Sequence, residues 1–234
     1  MDWSVRRIDR IRALNNATRY LEIGVERGTT FLNVPIPIKD GVDPKFMFDP
    51  AAVVTSHIRL FSQTSDAFWI SGRAQVYDVM MIDGLHTFEQ TFRDLLCSMR
   101  YSHSKTVWLI DDTLPSDVFS AIPDQNRSYR ERQKMNIAGA PWHGDVFKIV
   151  PAIRDFIPTL DYATIVNSGN PQTLLWFGSK QEFKPVVNNL ELVSRMSYFD
   201  IEPNLGLYNL ATEDQAFSRL AAAFSEVEPH PQRP

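Results

Sequence analysis

Two hydrophobic runs in this chain end in aspartate: Tyr77-Asp78-Val79-Met80-Met81-Ile82-Asp83 and Thr106-Val107-Trp108-Leu109-Ile110-Asp111-Asp112. His86 stands shortly past the first, after Gly84-Leu85. Continuous apolar runs closed by a turn signal read as strands buried on both faces, as in parallel sheets. In an open parallel sheet the carboxyl ends of the strands face the ligand crevice. Asp83, Asp111 and Asp112 are therefore expected to converge, with His86 beside them. Three carboxylates at one place repel one another unless protons or a cation intervene, and hard oxygen donors suit Mg²⁺ or another divalent cation. His86 precedes the start of the next expected helix, whose dipole disfavours an imidazolium, so it reads as a neutral proton acceptor. The plainer reading of an aspartate after a strand is a turn or helix cap, which explains one of Asp111 and Asp112 more comfortably than both. Asp78, at the start of its strand, reads as structural.

A second constellation is Glu22-Ile23-Gly24-Val25-Glu26-Arg27-Gly28-Thr29. Glycine at a strand-to-helix junction lets the backbone turn sharply and approach a ligand closely. Asp43 closes the next strand, where an acid can take two ribose hydroxyls. The middle glycine of the dinucleotide fingerprint is missing, and Glu26 in its place would repel a pyrophosphate. A nucleoside cofactor without phosphates fits better.

The elements that must position these residues alternate between strand and helix. Residues 5–17 read as a helix and Arg19 to Ile23 as a strand, followed by a brief helix to about Val34. Lys39 to Asp43 is a second strand and His57 to Gln63 a third, with a helix opening at Ser65-Asp66. After Asp83, the residues Phe88, Phe92, Leu95, Leu96 and Met99 recur at helical spacing. Thr87 and Gln90 have the spacing of a capping box at its start. Residues 113–144 are polar and irregular, the length of a functional lid. Another helix begins near Pro151. Thr164-Ile165-Val166 and Thr173-Leu174-Leu175-Trp176-Phe177 flank Asn167-Ser168-Gly169-Asn170-Pro171 as a terminal antiparallel hairpin. The expectation is a doubly wound α/β fold: a mostly parallel seven-stranded sheet with an antiparallel edge strand. The boundaries are residues 1–180 for the sheet domain and 181–234 for a C-terminal helical extension. In that extension Phe217, Leu220 and Phe224 have helical spacing, to pack on the domain or on a second subunit. Pro229 to Pro234 is expected to be disordered.

Composition bounds the rest. The chain has 234 residues, 44% hydrophobic and 22% charged, ordinary for a globular domain with a proper core. A net charge of −4 argues against general nucleic-acid binding, which rests on many Lys and Arg contacts to phosphate. Cys97 is the only cysteine, so an intramolecular disulfide and a thiolate zinc site are excluded, and it reads as a small buried hydrophobe. No apolar run suffices to cross a bilayer and the first residues lack a signal-peptide stretch, which reads as cytoplasmic.

The run Leu21 to Thr30, with Gly41-Val42-Asp43-Pro44, resembles the first two motifs of class I S-adenosylmethionine-dependent methyltransferases. Ile82-Asp83-Gly84-Leu85-His86-Thr87-Phe88 and Leu109-Ile110-Asp111-Asp112 resemble one metal-dependent branch of them. That branch includes sugar O-methyltransferases of macrolide biosynthesis and relatives of cephalosporin-tailoring enzymes. The similarity runs from about Arg19 to Phe177. It implies that Glu22, Gly24, Gly28 and Thr30 line the methionine part of S-adenosylmethionine, with Thr29 and Asp83 counted among the cofactor residues. It also implies that Asp43 holds the ribose and that Ser65 and Asp66 close around the adenine. Asp83, Asp111 and Asp112 match the branch's metal ligands and His86 its general base. Gly144-Asp145-Val146-Phe147-Lys148 resembles a recurring segment to which no chemical role is assigned.

The function expected is Mg²⁺-assisted O-methylation of a small-molecule hydroxyl, with a sugar or vicinal diol as the natural chelating acceptor and a catechol-like phenol equally suited. The lid cations Arg127, Arg130, Arg132 and Lys134, with Trp142 and His143, would suit an anionic or glycosidic acceptor, although such a run more commonly marks a solvated helix face. A nicotinamide-dependent oxidoreductase and a non-catalytic cofactor-binding protein are the rivals, the first weakened by Glu26.

Overall fold

The computed structural model describes residues 2–139, 141–178 and 183–226. Its centre is one eight-stranded sheet built from β1 (Arg19–Ile23), β2 (Ile38–Asp43), β3 (Ile58–Ser62), β4 (Val79–Ile82), β5 (Val107–Ile110), β6 (Leu160–Ile165), β7 (Gln172–Phe177) and β8 (Leu210–Ala211). The order across the sheet is β3-β2-β1-β4-β5-β7-β6-β8. All neighbours are parallel except β7, which runs against both β5 and β6. Seven strands match the expectation. The eighth, β8, comes from the C-terminal segment, where two residues too short to carry a period-2 signal pair with Thr164 and Ile165.

Alternation along the central strands explains why two helical layers form. Met80, Ile82, Trp108 and Ile110 point into one core, while Val79, Met81, Val107 and Leu109 point into the other. The first core is covered by α2 (Ser65–Ile70), α3 (Phe88–Met99) and α5 (Ile149–Phe156), through Phe68, Phe88, Leu95, Ile149 and Ile153. The second is covered by α1 (Trp3–Asn15) and α7 (Glu213–Glu226), through Val5, Ile8, Ile11, Phe217 and Leu220. Buried side chains on both faces of every central strand are what all-parallel pairing demands. Of two shorter helices, α6 (Leu190–Arg195) adds the fully buried Val193 to the first core, while α4 (Gln125–Lys134) adds no residue to either core.

Local signals set the helix ends. The Asp2 carboxylate accepts from Ser4 and Val5 N–H at the start of α1, and Asn16 closes it in the left-handed region (φ 55°). Thr64, Asp124 and Asn189 cap α2, α4 and α6. The capping box expected of Thr87 and Gln90 does not form. Thr87 makes no side-chain cap, and the Asp145 carboxylate accepts from the Phe88 N–H at 2.8 Å instead. Nor does a helix follow Thr30: residues 29–34 make consecutive turns, with Leu32 N–H donating to the Gly28 carbonyl and Val34 N–H to Thr30.

The register levels the strand ends. Ile23 pairs with Val42 and with Ile82, and Ile82 pairs with Ile110. The next residue on each strand is therefore Gly24, Asp43, Asp83 or Asp111, all emerging at one height. The chain leaves β1 toward β2 and β3 on one side, and returns through β4 and β5 on the other. β1 and β4 thus bound the topological switch point, where open α/β sheets bind ligands.

Candidate active site

A cleft of about 890 Å³ opens at this switch point. That volume is near the upper end for small-molecule sites, with room for a nucleoside cofactor and a small acceptor together. On the β1–β2 side its wall is backbone-built. Gly24 sits at φ +88°, and a Cβ there would stand 1.9 Å from the Asp83 carbonyl oxygen, so only glycine lets the loop after β1 pass the end of β4. Asp43 accepts from Glu26 N–H at 2.8 Å and from Lys45 N–H at 2.7 Å, clamping the first loop to the second. Glu22, Thr29 and Thr30 line the cleft, as do Ser65 and Asp66. Gln90 from α3 reaches the last two, donating to Ser65 Oγ and Asp66 Oδ1 at 3.1 Å. Gly28 departs from expectation. It is buried at φ +74° and turns the loop through its N–H bond to the Val25 carbonyl, without lining the cleft.

Glu22 is buried at 2% exposure, and burial pushes its pKa to about 8 against the opposing Tyr20 hydroxyl, which donates to it at 2.6 Å. A carboxyl so placed gains most from a cationic partner.

On the β4–β5 side the wall is made of side chains. His86 Nδ1 lies 2.8 Å from Asp112 Oδ2 and 3.2 Å from the Trp142 carbonyl, while Nε2 faces Asp83 Oδ1 at 3.7 Å. The imidazole stacks on the Trp142 indole, centroids 4.6 Å apart and planes 3° from parallel. Trp142 is held in turn by its Nε1–H bond to the Ile122 carbonyl at 2.8 Å. Among the described residues, Asp83, His86 and Asp112 form the group whose ligand atoms all lie within 4.8 Å of one another. Asp111 stands beside it with one oxygen engaged, Oδ1 accepting from Asn170 Nδ2 at 2.5 Å and from Asp112 N–H at 2.8 Å. The sequence therefore finds the carboxylates, but the compact trio includes His86 where Asp111 was expected.

The electrostatics follow. Burial and the charges of Asp111 and Asp112 hold the Asp83 carboxyl well above the usual carboxylate range. Burial and Asp112 push Asp111 to about 7. Burial pulls His86 down, but the Asp112 hydrogen bond and charge outweigh it and the net direction is upward. The helix-dipole argument for a neutral imidazole thus meets a stronger opposing effect, a carboxylate at hydrogen-bond distance. Crowded acids, an imidazole and a raised proton affinity make a donor set that a divalent cation fits, since its charge offsets the repulsion that protons otherwise offset.

Two features, Asn170 and Gly144, are not foreseen as site parts, and His143, expected at the acceptor, stands against the carboxylates. Asn170 donates to Asp112 Oδ1 at 2.6 Å as well as to Asp111. It was legible as the loop after β6, a parallel strand whose carboxyl end shares the cleft side. His143, 6% exposed, places Nε2 3.0 Å from Asn170 Oδ1 and 3.5 Å from Asp112 Oδ1, and its Nδ1 has no partner among the described residues. Gly144, at φ +60°, crosses the His86 carbonyl so closely that a Cβ would lie 1.7 Å from its oxygen. The segment of unassigned role, residues 144–148, is therefore the brace of the His86 loop. Asp145 caps α3 and takes Lys148 Nζ at 2.8 Å, and Lys148 reaches the Ser194 carbonyl.

Residues 113–144, expected to be an irregular lid, contain a regular helix. That helix, α4, buries Ser128 and Arg132 through polar contacts, Ser128 donating to the Phe119 carbonyl and Arg132 binding Asp117 at 2.7 Å, while Lys134 pairs with Glu131. None of Arg127, Arg130, Arg132 and Lys134 lines the cleft; Gln125, Tyr129 and Trp142 do. Cys97 is half-buried and packs against the first core, on α3. No helix among the described residues is long and apolar enough to cross a membrane.

Residues 21–113 match the family model described as a methyltransferase domain, a stretch running from β1 to just past β5. Over that stretch the chain is similar to a methyltransferase domain, and the match spans the strands that frame the cleft. No curated protein matches. Among solved structures, similarity extends to a Staphylococcus aureus protein assigned as a caffeoyl-CoA O-methyltransferase (TM-score 0.52, 14% identity, 76% of this chain and 84% of that one). It extends also to the O-methyltransferase TomG of Streptomyces achromogenes, involved in tomaymycin synthesis and solved with S-adenosylmethionine (0.51, 12%, 75% and 79%). The plantazolicin methyltransferase BpumL, solved with S-adenosylhomocysteine, is a third (0.51, 13%, 75% and 85%). At these identities the likeness establishes the shared fold.

Proposed function

We propose that this protein is a Mg²⁺-assisted O-methyltransferase acting on a small molecule that presents two neighbouring oxygens, a sugar or other vicinal diol. The observation that carries the reading is the meeting of Asp83, His86 and Asp112 within 4.8 Å, one residue beyond the strand end that Gly24 crosses. When bound, S-adenosylmethionine supplies an electrophilic methyl group and the divalent cation lowers the pKa of the accepting hydroxyl. The chain's own residues do the rest. The Gly24 backbone admits the cofactor, Asp43 offers oxygens to its ribose, and buried Glu22 offers a carboxylate to its ammonium. Asp83 and Asp112, with Asp111 beside them, hold the cation. His86, fixed through Nδ1 by Asp112, presents Nε2 to take the hydroxyl proton. Trp142 covers the imidazole face and excludes water from it. Alignment and electrostatics are the main contributions expected of such a site.

The His86–Asp112 distance of 2.8 Å favours one second reading, in which that pair alone removes the proton and no metal takes part. An oxidoreductase reading is disfavoured by Glu26, which lines the cleft where a pyrophosphate would lie. Calorimetry separates these. S-adenosylhomocysteine should bind with and without Mg²⁺, and methyl transfer to a diol panel should require the metal. Binding of NAD⁺ with none of S-adenosylhomocysteine would overturn the methyltransferase reading, and full activity in excess EDTA would leave only the His86–Asp112 pair.

A further inference from the structure

Asn170 is a neutral side chain that touches both members of the Asp111–Asp112 pair. Its Nδ2 donates to Asp111 Oδ1 at 2.5 Å and to Asp112 Oδ1 at 2.6 Å, and its Oδ1 lies 3.0 Å from His143 Nε2. These contacts fix the amide orientation, since nitrogen faces only acceptors and oxygen faces a ring nitrogen. They also set the buried His143 with Nε2 toward the amide oxygen, and its Nδ1 has no partner among the described residues. Asn170 is itself anchored from outside the cleft. Fully buried Arg7 donates to the Asn170 carbonyl at 2.9 Å, to Gln172 Oε1 at 2.5 Å and to the Ser168 carbonyl. Glu213 at the start of α7 binds Arg6, Arg7, Arg10 and Ser168 Oγ, the last at 2.8 Å.

We propose that Asn170 is a positioning residue that aims the paired carboxylates of Asp111 and Asp112 at a divalent cation, and that α1 and α7 hold it there through Arg7 and Glu213. Two adjacent carboxylates have independent rotamers, and without a shared donor their repulsion turns them apart. One amide bonded to Oδ1 of both fixes the two rotamers together, with Asp112 Oδ2 turned to His86 Nδ1 at 2.8 Å within the Asp83–His86–Asp112 group. The role rests on the metal reading above. Outer partners of this kind typically tune metal affinity by ~10- to 100-fold.

The test uses the full chain and Mn²⁺ alone, followed by the loss of its free-ion paramagnetic signal. S-adenosylhomocysteine affinity and the melting temperature are measured on the same samples. Asn170→Ala should weaken Mn²⁺ about tenfold or more while leaving S-adenosylhomocysteine affinity within about twofold. A general structural role would instead weaken both with the melting temperature. Should Asn170→Ala not fold, Asn170→Ser, which keeps a donor too short to span both carboxylates, carries the same comparison. Mn²⁺ bound equally by wild type and variant removes the positioning role and leaves the metal reading intact. Wild type that binds S-adenosylhomocysteine but no Mn²⁺ removes the metal reading and this role with it.

Discussion

On the β1–β2 side of the cleft, the wall is made by residues close in sequence: Gly24 at its left-handed turn, and Asp43 holding the amides of Glu26 and Lys45. On the β4–β5 side, His86 is held by Asp112, Trp142 and Gly144, and the acids by Asn170. The first wall is local backbone geometry; the second is assembled from four separate segments. Cofactor binding and chemistry should therefore fail separately, each under changes that spare the other.

The largest separation is expected from His86→Ala. Turnover should fall by ~10² or more, the usual worth of a general base, with S-adenosylhomocysteine affinity unchanged by calorimetry. Comparable loss of both would mean the two walls are one unit.

The glycines give a paired contrast. Gly24→Ala forces a Cβ into the Asp83 carbonyl and holds a residue in the left-handed region, itself worth about 1–2 kcal/mol. Cofactor affinity should drop at least about tenfold, the equivalent of ~1.4 kcal/mol. Gly144→Ala has the same strain but presses on the His86 carbonyl, so it should slow turnover and leave cofactor affinity near wild type. Equal effects of the two on S-adenosylhomocysteine binding would erase the distinction.

How legible each wall was follows from the same difference. Gly24, Asp43, Asp83, Asp111 and Asp112 announce themselves because each ends a hydrophobic run, and parallel register carries strand ends to one level. Gly28 has the right residue type in the right motif yet serves the turn, since a positive φ is needed for shaping a loop as much as for touching a ligand. Asp145 capping α3 was illegible: Thr87 and Gln90 satisfied the local rule, and a carboxylate from a distant segment won. The same holds for β8, whose two residues become a strand only because β6 offers an open edge.

Smaller effects concern what supports the second wall from behind. Leu220, fully buried in the core under α7, should cost about 2–5 kcal/mol on truncation to alanine, read from denaturant unfolding. Cofactor affinity per folded molecule should stay constant.

Acid should act through Glu213. Although burial alone would raise it, hydrogen bonds from Arg6, Ser168 and Arg10 hold its pKa at about 2, below the ordinary 4.5. A carboxylate depressed on folding stabilises fully above its unfolded value, and that stability is lost as pH falls through the folded one. The melting temperature should therefore decline from about pH 4.5 toward 2, and Glu213→Gln should flatten that decline. An unchanged acid limb in the variant would mean that other carboxylates, such as Asp78, govern it.

The Glu213 anchor also imposes an order of events on the newborn chain. Asn170 leaves the ribosome well before Glu213, with β7, α6 and β8 between them. At ~5–20 residues per second the interval is on the order of seconds. During it β1 to β5 can already pair and the nucleoside wall can form, while the loop at residues 167–170 still lacks the carboxylate that gathers Arg6, Arg7 and Arg10. The growing polypeptide thus passes through a stage in which β1 to β5 are in place while the loop behind the acids has no anchor, and the arrival of α7 closes that gap.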